Sequence, residues 1–274
     1  MPSSPEPSER EKIRDEVRRI WDENADWWDE TVGEGNLTQQ LILGPATDRL
    51  LVPRKGEEIL DIACGNGHYA RRLARTGARV VAVDISEKFL AKARSRSEKE
   101  GLKIDFLSLD VTATEALSGL GRGRFDAAVC TMALMDIPDA RAVFRGALAV
   151  LKEGGRFVFS ITHPSFNQLG ATKVAEEADD SAGSGGLRTR YFVKVETYAT
   201  PRSGRGIGIP GQPSPHYYFE RPLGLLLKEA FDAGFRLDAL EELTCPEGMT
   251  PTRPLSWPQF REIPPFLAAR LRPA

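Results

Sequence analysis

The chain is poor in the residues that hold metals. Its 274 residues include three cysteines and three histidines. Cys64, Cys130 and Cys245 lie far apart, with no CxxC and no histidine at ligand spacing, so no metal is expected and the cysteines read as reduced, buried thiols. Long apolar runs are missing as well. None approaches the roughly 20 residues that span a bilayer, and the opening MPSSPEPSER has no apolar signal-peptide segment. No membrane partner is expected, and a cytoplasmic location is. Charge of one sign is also lacking: 37 Lys and Arg face 39 Asp and Glu, a net charge of −2. That balance gives no electrostatic reason to bind nucleic acid.

Core-forming material is ample, with 41% hydrophobic residues and 25 glycines. Residues 1–8, with prolines among serines, read as a disordered lead-in. Ser8 and Glu11 have capping-box spacing, and Ile13, Val17, Ile20, Trp21 and Trp28 follow at near-helical intervals. A helix is expected over about 9–28, and a second over 36–51 interrupted at Gly44-Pro45. Together these form a helical cover over 9–56.

From residue 58 strands and helices alternate. Strands are expected at 58–62, 79–84, 104–109, 125–131 and 156–162, with helices at 68–76, 86–100 and 140–151 between them. This rhythm implies βαβ units and a doubly wound, mostly parallel α/β sheet, in a domain spanning 57–274. The rhythm breaks over 163–221, a Gly-, Ser- and Pro-rich insertion after the fifth strand with one β-like run at 191–198. A helix opened by Pro222, a strand at 235–241 and a tail strand at 265–271 close the chain. The arginines Arg71, Arg72 and Arg75 read as a solvated helix face.

The most informative stretch is EILDIACGNGHYARRLA, 58–74. A strand runs into a turn holding Gly65 and Gly67, and a helix follows at once, leaving free N–H groups at its start. Asp84 ends the next strand, where a carboxylate can accept both hydroxyls of a ribose. This package points to a nucleoside cofactor. The turn also fits GxGxxA, so a nicotinamide dinucleotide competes for it. Asp61, just before the turn, would repel a pyrophosphate but suits an ammonium group. Asp110, ending the third strand, is placed for an adenine amino group.

The ordered segments ILDIACGNG, VVAVDIS, LSLDV, FDAAVCTMALMDIPD and VLKEGGRFVFSITHP resemble the motifs of class I S-adenosylmethionine-dependent methyltransferases, in their small-molecule, type 11/25-like group. The resemblance is close over 58–164 and general over 222–271. It implies a Rossmann-like, seven-stranded sheet whose last strand is antiparallel. It also implies S-adenosylmethionine as cofactor, with S-adenosylhomocysteine as product, and transfer of a methyl group to O or N of a small acceptor. Asp61, Ala63, Gly65 and Gly67 would then flank the methionine part, Asp84 with Ile85 the ribose, Asp110 and Val111 the adenine, and Thr131 and Met132 the sulfonium side. The family often has glycine at the place of Ala63. Many small-molecule members also carry a Tyr-Asp-x-x-Ala-x-x-Tyr-Asp pattern, which here reads Trp21-Asp22-x-x-Ala25-x-x-Trp28-Asp29.

The acceptor should lie where the fourth and fifth strands end. Trp28, Met135, His163, Phe166, Tyr217 and Tyr218 are the substrate-side candidates. Asp136 leaves the fourth strand on the same edge as Met135, with a turn cap at Pro138 as its plain alternative, and His216 closes the insertion together with Tyr217 and Tyr218. His163, directly after the fifth strand, is the candidate general base, with loop capping as its plain alternative. Nucleobase amino-methyltransferases carry Asp/Asn-Pro-Pro-aromatic after the fourth strand, where this chain has Cys130-Thr-Met-Ala. Two other functions remain open: an NAD(P)-dependent oxidoreductase, and a catalytically silent S-adenosylmethionine-binding protein. They separate in a melting experiment. S-adenosylhomocysteine should raise the melting temperature through linkage while NADH has much less effect, and the opposite order would favour the dinucleotide.

Overall fold

The computed structural model describes residues 7–113, 115–179 and 186–274. Residues 1–6 of the lead-in expected over 1–8 and most of SAGSGG lie outside the described residues, as does the Ser8 side chain of the capping box; residues 7 and 8 belong to the first helix and not to the lead-in.

Seven strands form one sheet: β1 (Glu58–Ile62), β2 (Arg79–Asp84), β3 (Ile104–Ser108), β4 (Phe125–Thr131), β5 (Leu151–Thr162), β10 (Phe235–Leu243) and β11 (Phe266–Pro273). Their order is β10-β11-β5-β4-β1-β2-β3, and β11 runs antiparallel to both of its neighbours. The fold is therefore the Rossmann-like, mostly parallel seven-stranded sheet. Its central strands carry continuous apolar runs because both faces are covered. One face packs Phe144, Phe157, Phe159 and Phe235 as mostly edge-on aromatic neighbours. The other packs Leu50, Leu51, Tyr69 and Leu73. Strand order reverses between β1 and β4, so the C-terminal ends of β1, β2, β4 and β5 open on one crevice.

Helices α3 (His68–Arg75), α4 (Glu87–Lys99), α5 (Ala140–Val150) and α6 (Leu223–Asp232) cover the sheet. Ser86 caps α4 by accepting the Phe89 N–H at 3.2 Å. Several local expectations need correction. β5 begins at Leu151, ahead of the expected 156, and the β-like run expected at 191–198 is a strand at Leu187–Lys194. Helix α1 runs Pro7–Val32, longer than 9–28 at both ends. The break at Gly44-Pro45 is absent: a π-helical turn, Gln39–Leu43, leads straight into α2 (Gly44–Leu51), with the Gly44 N–H bonded to the Gln39 carbonyl. The wider turn accommodates Pro45, which lacks an N–H and would crowd an α-helical carbonyl.

The insertion folds as two hairpins outside the main sheet. One pairs β6 (Thr172–Asp179) with β7 (Leu187–Lys194), and the other pairs β8 (Arg202–Gly206) with β9 (His216–Glu220). Asn24 in α1 is fully buried and fastens the second hairpin: its amide donates to the Ser214 carbonyl at 2.8 Å and its carbonyl accepts the Ser214 N–H at 2.9 Å.

Arg71 overturns the solvated-face expectation. It is fully buried, donates to the Gly33 carbonyl after α1 at 3.0 Å and to the Asn66 carbonyl in the glycine turn at 2.9 Å. Its Nε lies 2.8 Å from Glu100 Oε1. Arg75, by contrast, is an exposed partner of the same carboxylate. Arg71→Ala strands a buried carbonyl set and leaves a cavity, so it should cost about 3 kcal/mol or more. Arg75→Ala should cost less than about 1 kcal/mol. Urea denaturation of the two variants measures both, and equal costs would refute the buried role.

Candidate active site

A cleft of about 570 Å³ lies along the C-terminal edge of the sheet, roofed by α1 and the insertion. At one end is the glycine turn. Gly65 has φ +54° and open space where a side chain would stand, so a ligand can approach its backbone. Gly67 differs: an added Cβ would meet Ala93 and Phe106 at 3.0 and 3.2 Å, and the residue does not line the cleft. Its glycine serves close packing of the turn against α4 and β3. Ala63 and Met132, on the cleft wall, both hold positive φ, at 57° and 52°. Such backbone is costly for a residue with a side chain and tends to mark functional positions.

Asp84 ends β2 with Oδ2 accepting the Gly65 N–H at 2.8 Å and Oδ1 accepting the Ser86 N–H at 2.9 Å. Burial raises its pKa to about 6 against these backbone donors. A carboxylate has about four acceptor sites, so two remain for hydroxyl groups. Asp110 uses Oδ1 for the Thr112 N–H and hydroxyl, at 2.9 and 2.7 Å. Its Oδ2 meets only Arg14, 3.9 Å away. Ile85, Val111 and Thr131 line the same end. Asp61 lies beneath, wholly buried; among the described residues neither of its oxygens has a side-chain partner, and the Ala70 N–H at the start of α3 is the donor that acts on it. Burial, with Asp84 nearby, raises its pKa to about 8. Asp61 does not itself line the cleft. An acid beneath the glycine turn opposes a pyrophosphate and suits a cationic ammonium above it, which favours S-adenosylmethionine over a dinucleotide.

The acceptor end differs from expectation. Trp28, Met135 and Tyr218 line the cleft; His163, Phe166 and Tyr217 do not. The His163 ring is buried, with Nδ1 accepting the Ser165 N–H at 3.1 Å and Nε2 left to donate to Glu242 at 2.8 Å. Both nitrogens are engaged away from the cleft, so the geometry favours the loop-capping alternative over the base. Phe166 packs on this ring, and the Tyr217 hydroxyl donates to Glu16 at 2.6 Å.

A different histidine faces the cleft. His216, at the start of β9, lies between Trp21 and Tyr218, with ring centroids 4.6 and 4.5 Å away. Gln212 fixes its tautomer. The Gln212 amide nitrogen donates to the Ser214 carbonyl at 2.6 Å and its oxygen accepts the Gly208 N–H at 3.2 Å, so the same nitrogen also donates to His216 Nδ1, at 2.9 Å. The imidazole proton then resides on Nε2, which stands 3.6 Å from Asp136 Oδ1. That oxygen is buried without a hydrogen-bond partner. Burial holds the Asp136 pKa well above the ordinary carboxylate range and lowers that of His216 to about 4. Asp136 lies in the cleft wall just past β4, where its position on the ligand edge placed it, and not merely as a turn cap.

Among the described residues no group of three or more His, Cys, Asp or Glu could hold a metal, and no helix is long and apolar enough to cross a membrane. Residues 59–155 match a methyltransferase-domain family, Methyltransf_25. The chain is 29% identical over 174 residues to a ubiquinone biosynthesis O-methyltransferase from Coxiella burnetii, covering 62% of this chain and 71% of that one. A Ralstonia nicotianae protein of the same name is 32% identical over 159 residues, covering 58% and 62%. An S-adenosylmethionine-dependent methyltransferase from Mesorhizobium loti superposes with a TM-score of 0.63 at 26% identity, over 83% of this chain and 96% of that one. The CcbJ methyltransferase from Streptomyces caelestis shares the fold with a TM-score of 0.63 at 19% identity, over 93% and 98%.

Asp61 sets a pH signature. Its folded pKa, about 8, exceeds the unfolded value of roughly 3.9, so the folded state binds more protons in between and loses stability as pH rises through that window. Asp61→Asn should therefore stabilise the ligand-free chain increasingly from about pH 4 to pH 8, by more than about 1 kcal/mol at the upper end. S-adenosylhomocysteine affinity should fall at least tenfold. A pH-independent stability difference in denaturant titrations would exclude this role for Asp61.

Proposed function

The chain belongs to the class I S-adenosylmethionine-dependent methyltransferases, and from that premise we propose that it methylates a hydroxyl group of a small-molecule acceptor. The observation that carries the hydroxyl assignment is the Asp136–His216 pair, facing the same cleft as Asp84 and Asp110. The relatives' name, O-methyltransferase, agrees with it. Oxygen is the acceptor that most needs such a pair, since an alcohol or phenol must surrender a proton as it is alkylated.

S-adenosylmethionine, when bound, supplies an electrophilic methyl group already activated by its sulfonium. What the protein adds is alignment and proton removal. Asp84 and Asp110 would hold the nucleoside portion, and Asp61, buried beneath the glycine turn, would act on the ammonium through it. Trp21, Trp28 and Tyr218 wall the cleft beside Asp136 with flat, largely apolar surface, which excludes water.

Asp136 Oδ1 takes the acceptor proton as the new O–CH₃ bond forms and the S–CH₃ bond breaks. A carboxylate in water is too weak a base for a phenol, and burial strengthens it by raising its pKa. His216 stands with its Nε2 3.6 Å from that carboxylate, close enough to act on it electrostatically but too far for a hydrogen bond, and Gln212 holds the imidazole in this tautomer. Arg221 fixes the backbone behind Asp136, donating to the Ile137 and Pro138 carbonyls at 2.9 and 2.8 Å.

Release of S-adenosylhomocysteine over a panel of phenols tests this reading. With a phenol that turns over, Asp136→Asn should lower kcat about 100-fold and leave S-adenosylhomocysteine affinity unchanged. Protonation disables the base, so kcat/KM in the unsubstituted chain should decline as pH falls through the raised Asp136 pKa, and the Asn variant should lack this limb. His163→Gln should turn over normally. Full activity of Asp136→Asn would remove Asp136 as the base, and loss of activity in His163→Gln would return that role to His163.

A further inference from the structure

The cleft extends well beyond the cofactor residues. Those residues sit at the ends of β1 to β4, while the far wall is built from Thr162 at the end of β5, Phe266 at the start of β11, and Trp257. Five strand spacings separate β3 from β11, roughly 24 Å across the sheet. Two cations line this far end: Lys173 from β6 and Arg253 from the segment after β10.

The Lys173 ammonium is held 3.5 Å from the centre of the Trp257 ring and 5.6 Å from that of Phe260. This placement fixes the charge beside the cleft without neutralising it. Among the described residues neither Lys173 nor Arg253 forms an ion pair. The charge that acts most on Lys173 is a second cation, Arg253, and together with burial it lowers the Lys173 pKa to about 8. Its neighbours are treated differently. Lys194, across the same hairpin, lies 3.5 Å from Glu176, and Arg202 is paired with Glu220 at 2.6 Å. A half-buried Lys173 and an exposed Arg253 at the same end of the cleft, with no carboxylate paired to either among the described residues, leave positive charge that an incoming anion would neutralise.

We infer that Lys173 and Arg253 form a subsite for an anionic group, carboxylate or phosphate, on the acceptor, with Trp257 and Phe266 flanking the ring or chain that carries it. The inference rests on the methyl-transfer reading and narrows it: the acceptor is an anionic small molecule whose hydroxyl points toward Asp136 and whose anion points away from the cofactor. Arg253 supplies a planar donor fork that suits either oxyanion, and Lys173 supplies a point charge.

Calorimetry on the chain saturated with S-adenosylhomocysteine tests this, with 4-hydroxybenzoate against 4-hydroxybenzamide and phenyl phosphate against phenol. At least one anion should bind about tenfold or more tightly than its neutral partner, and the preference should shrink as salt is added. Which anion shows it identifies the oxyanion. The double variant Lys173→Gln/Arg253→Gln should lose the preference while keeping S-adenosylhomocysteine affinity and a cooperative melt. Lys173→Arg should retain it, separating charge from mere fastening of the hairpin. Equal binding of each pair, no binding of either anion, or a preference that survives the double variant would overturn the subsite. Failure of the unsubstituted chain to bind S-adenosylhomocysteine would instead strike the methyl-transfer reading itself.

Discussion

A buried acid lies at the centre of this molecule. Asp61 sits in β1 with no side-chain partner among the described residues; burial, with Asp84 nearby, raises its pKa to about 8 against the opposing effect of the Ala70 N–H. Nothing in a hydrophobic sheet requires an acid there, and burial without a countercharge keeps it protonated near neutral pH until a cation arrives. The glycine turn above is shaped by the same need. Gly65 leaves its backbone open to a ligand, and its N–H orients Asp84. The ligand-free edge is thus an electrostatic half-structure, and a cationic, ribose-bearing molecule completes it.

Cleft polarity follows from that arrangement. Acidic groups gather over β1, β2 and β3, where the cofactor's ammonium, ribose and adenine belong. Lys173 and Arg253 stand at the opposite end. On the proposed reading, cofactor and acceptor would meet beside Met132, Met135 and Asp136, where the sulfonium methyl would face the acceptor hydroxyl. Opposite charges at the two ends therefore orient the acceptor without a dense network of hydrogen bonds at the reacting atoms.

The sheet was legible because buried parallel strands leave little choice of residue. RVVAVD occupies Arg79–Asp84 as β2, and FDAAVCT occupies Phe125–Thr131 as β4, at the limits read from the sequence. The cofactor end was legible for a related reason: glycine turns and strand-end acids are local features. The acceptor end depends on contacts distant in sequence. His216 and Asp136 meet across 80 residues, and Asn24 reaches Ser214 across 190. No spacing rule connects such pairs. Arg71 misled because a helix rich in arginine reads as solvated; only the tertiary fold shows Gly33 and Asn66 presenting carbonyls to its guanidinium. The hairpins went largely unread because β8, RSGRG, has almost no strand-forming residues and is specified by its pairing with the aromatic β9.

The two histidines near the acceptor end show why position along a strand is a weaker guide than the environment of each ring nitrogen. His163 immediately follows a core strand, as a base might, yet the Ser165 N–H and Glu242 engage both sides of its ring. His216 lies in an insertion with little sequence signature, and its Nδ1 is satisfied by Gln212, whose own amide is oriented by two backbone groups. That chain of donors leaves one polar atom in the pair without a partner, Asp136 Oδ1, and it belongs to a residue lining the cleft. A buried polar atom left unsatisfied is costly when idle and reactive when a proton donor arrives. On the proposed reading, the same logic would make Asp61 the counterpart of the cofactor's fixed positive charge and Asp136 the counterpart of a mobile one, the acceptor's proton.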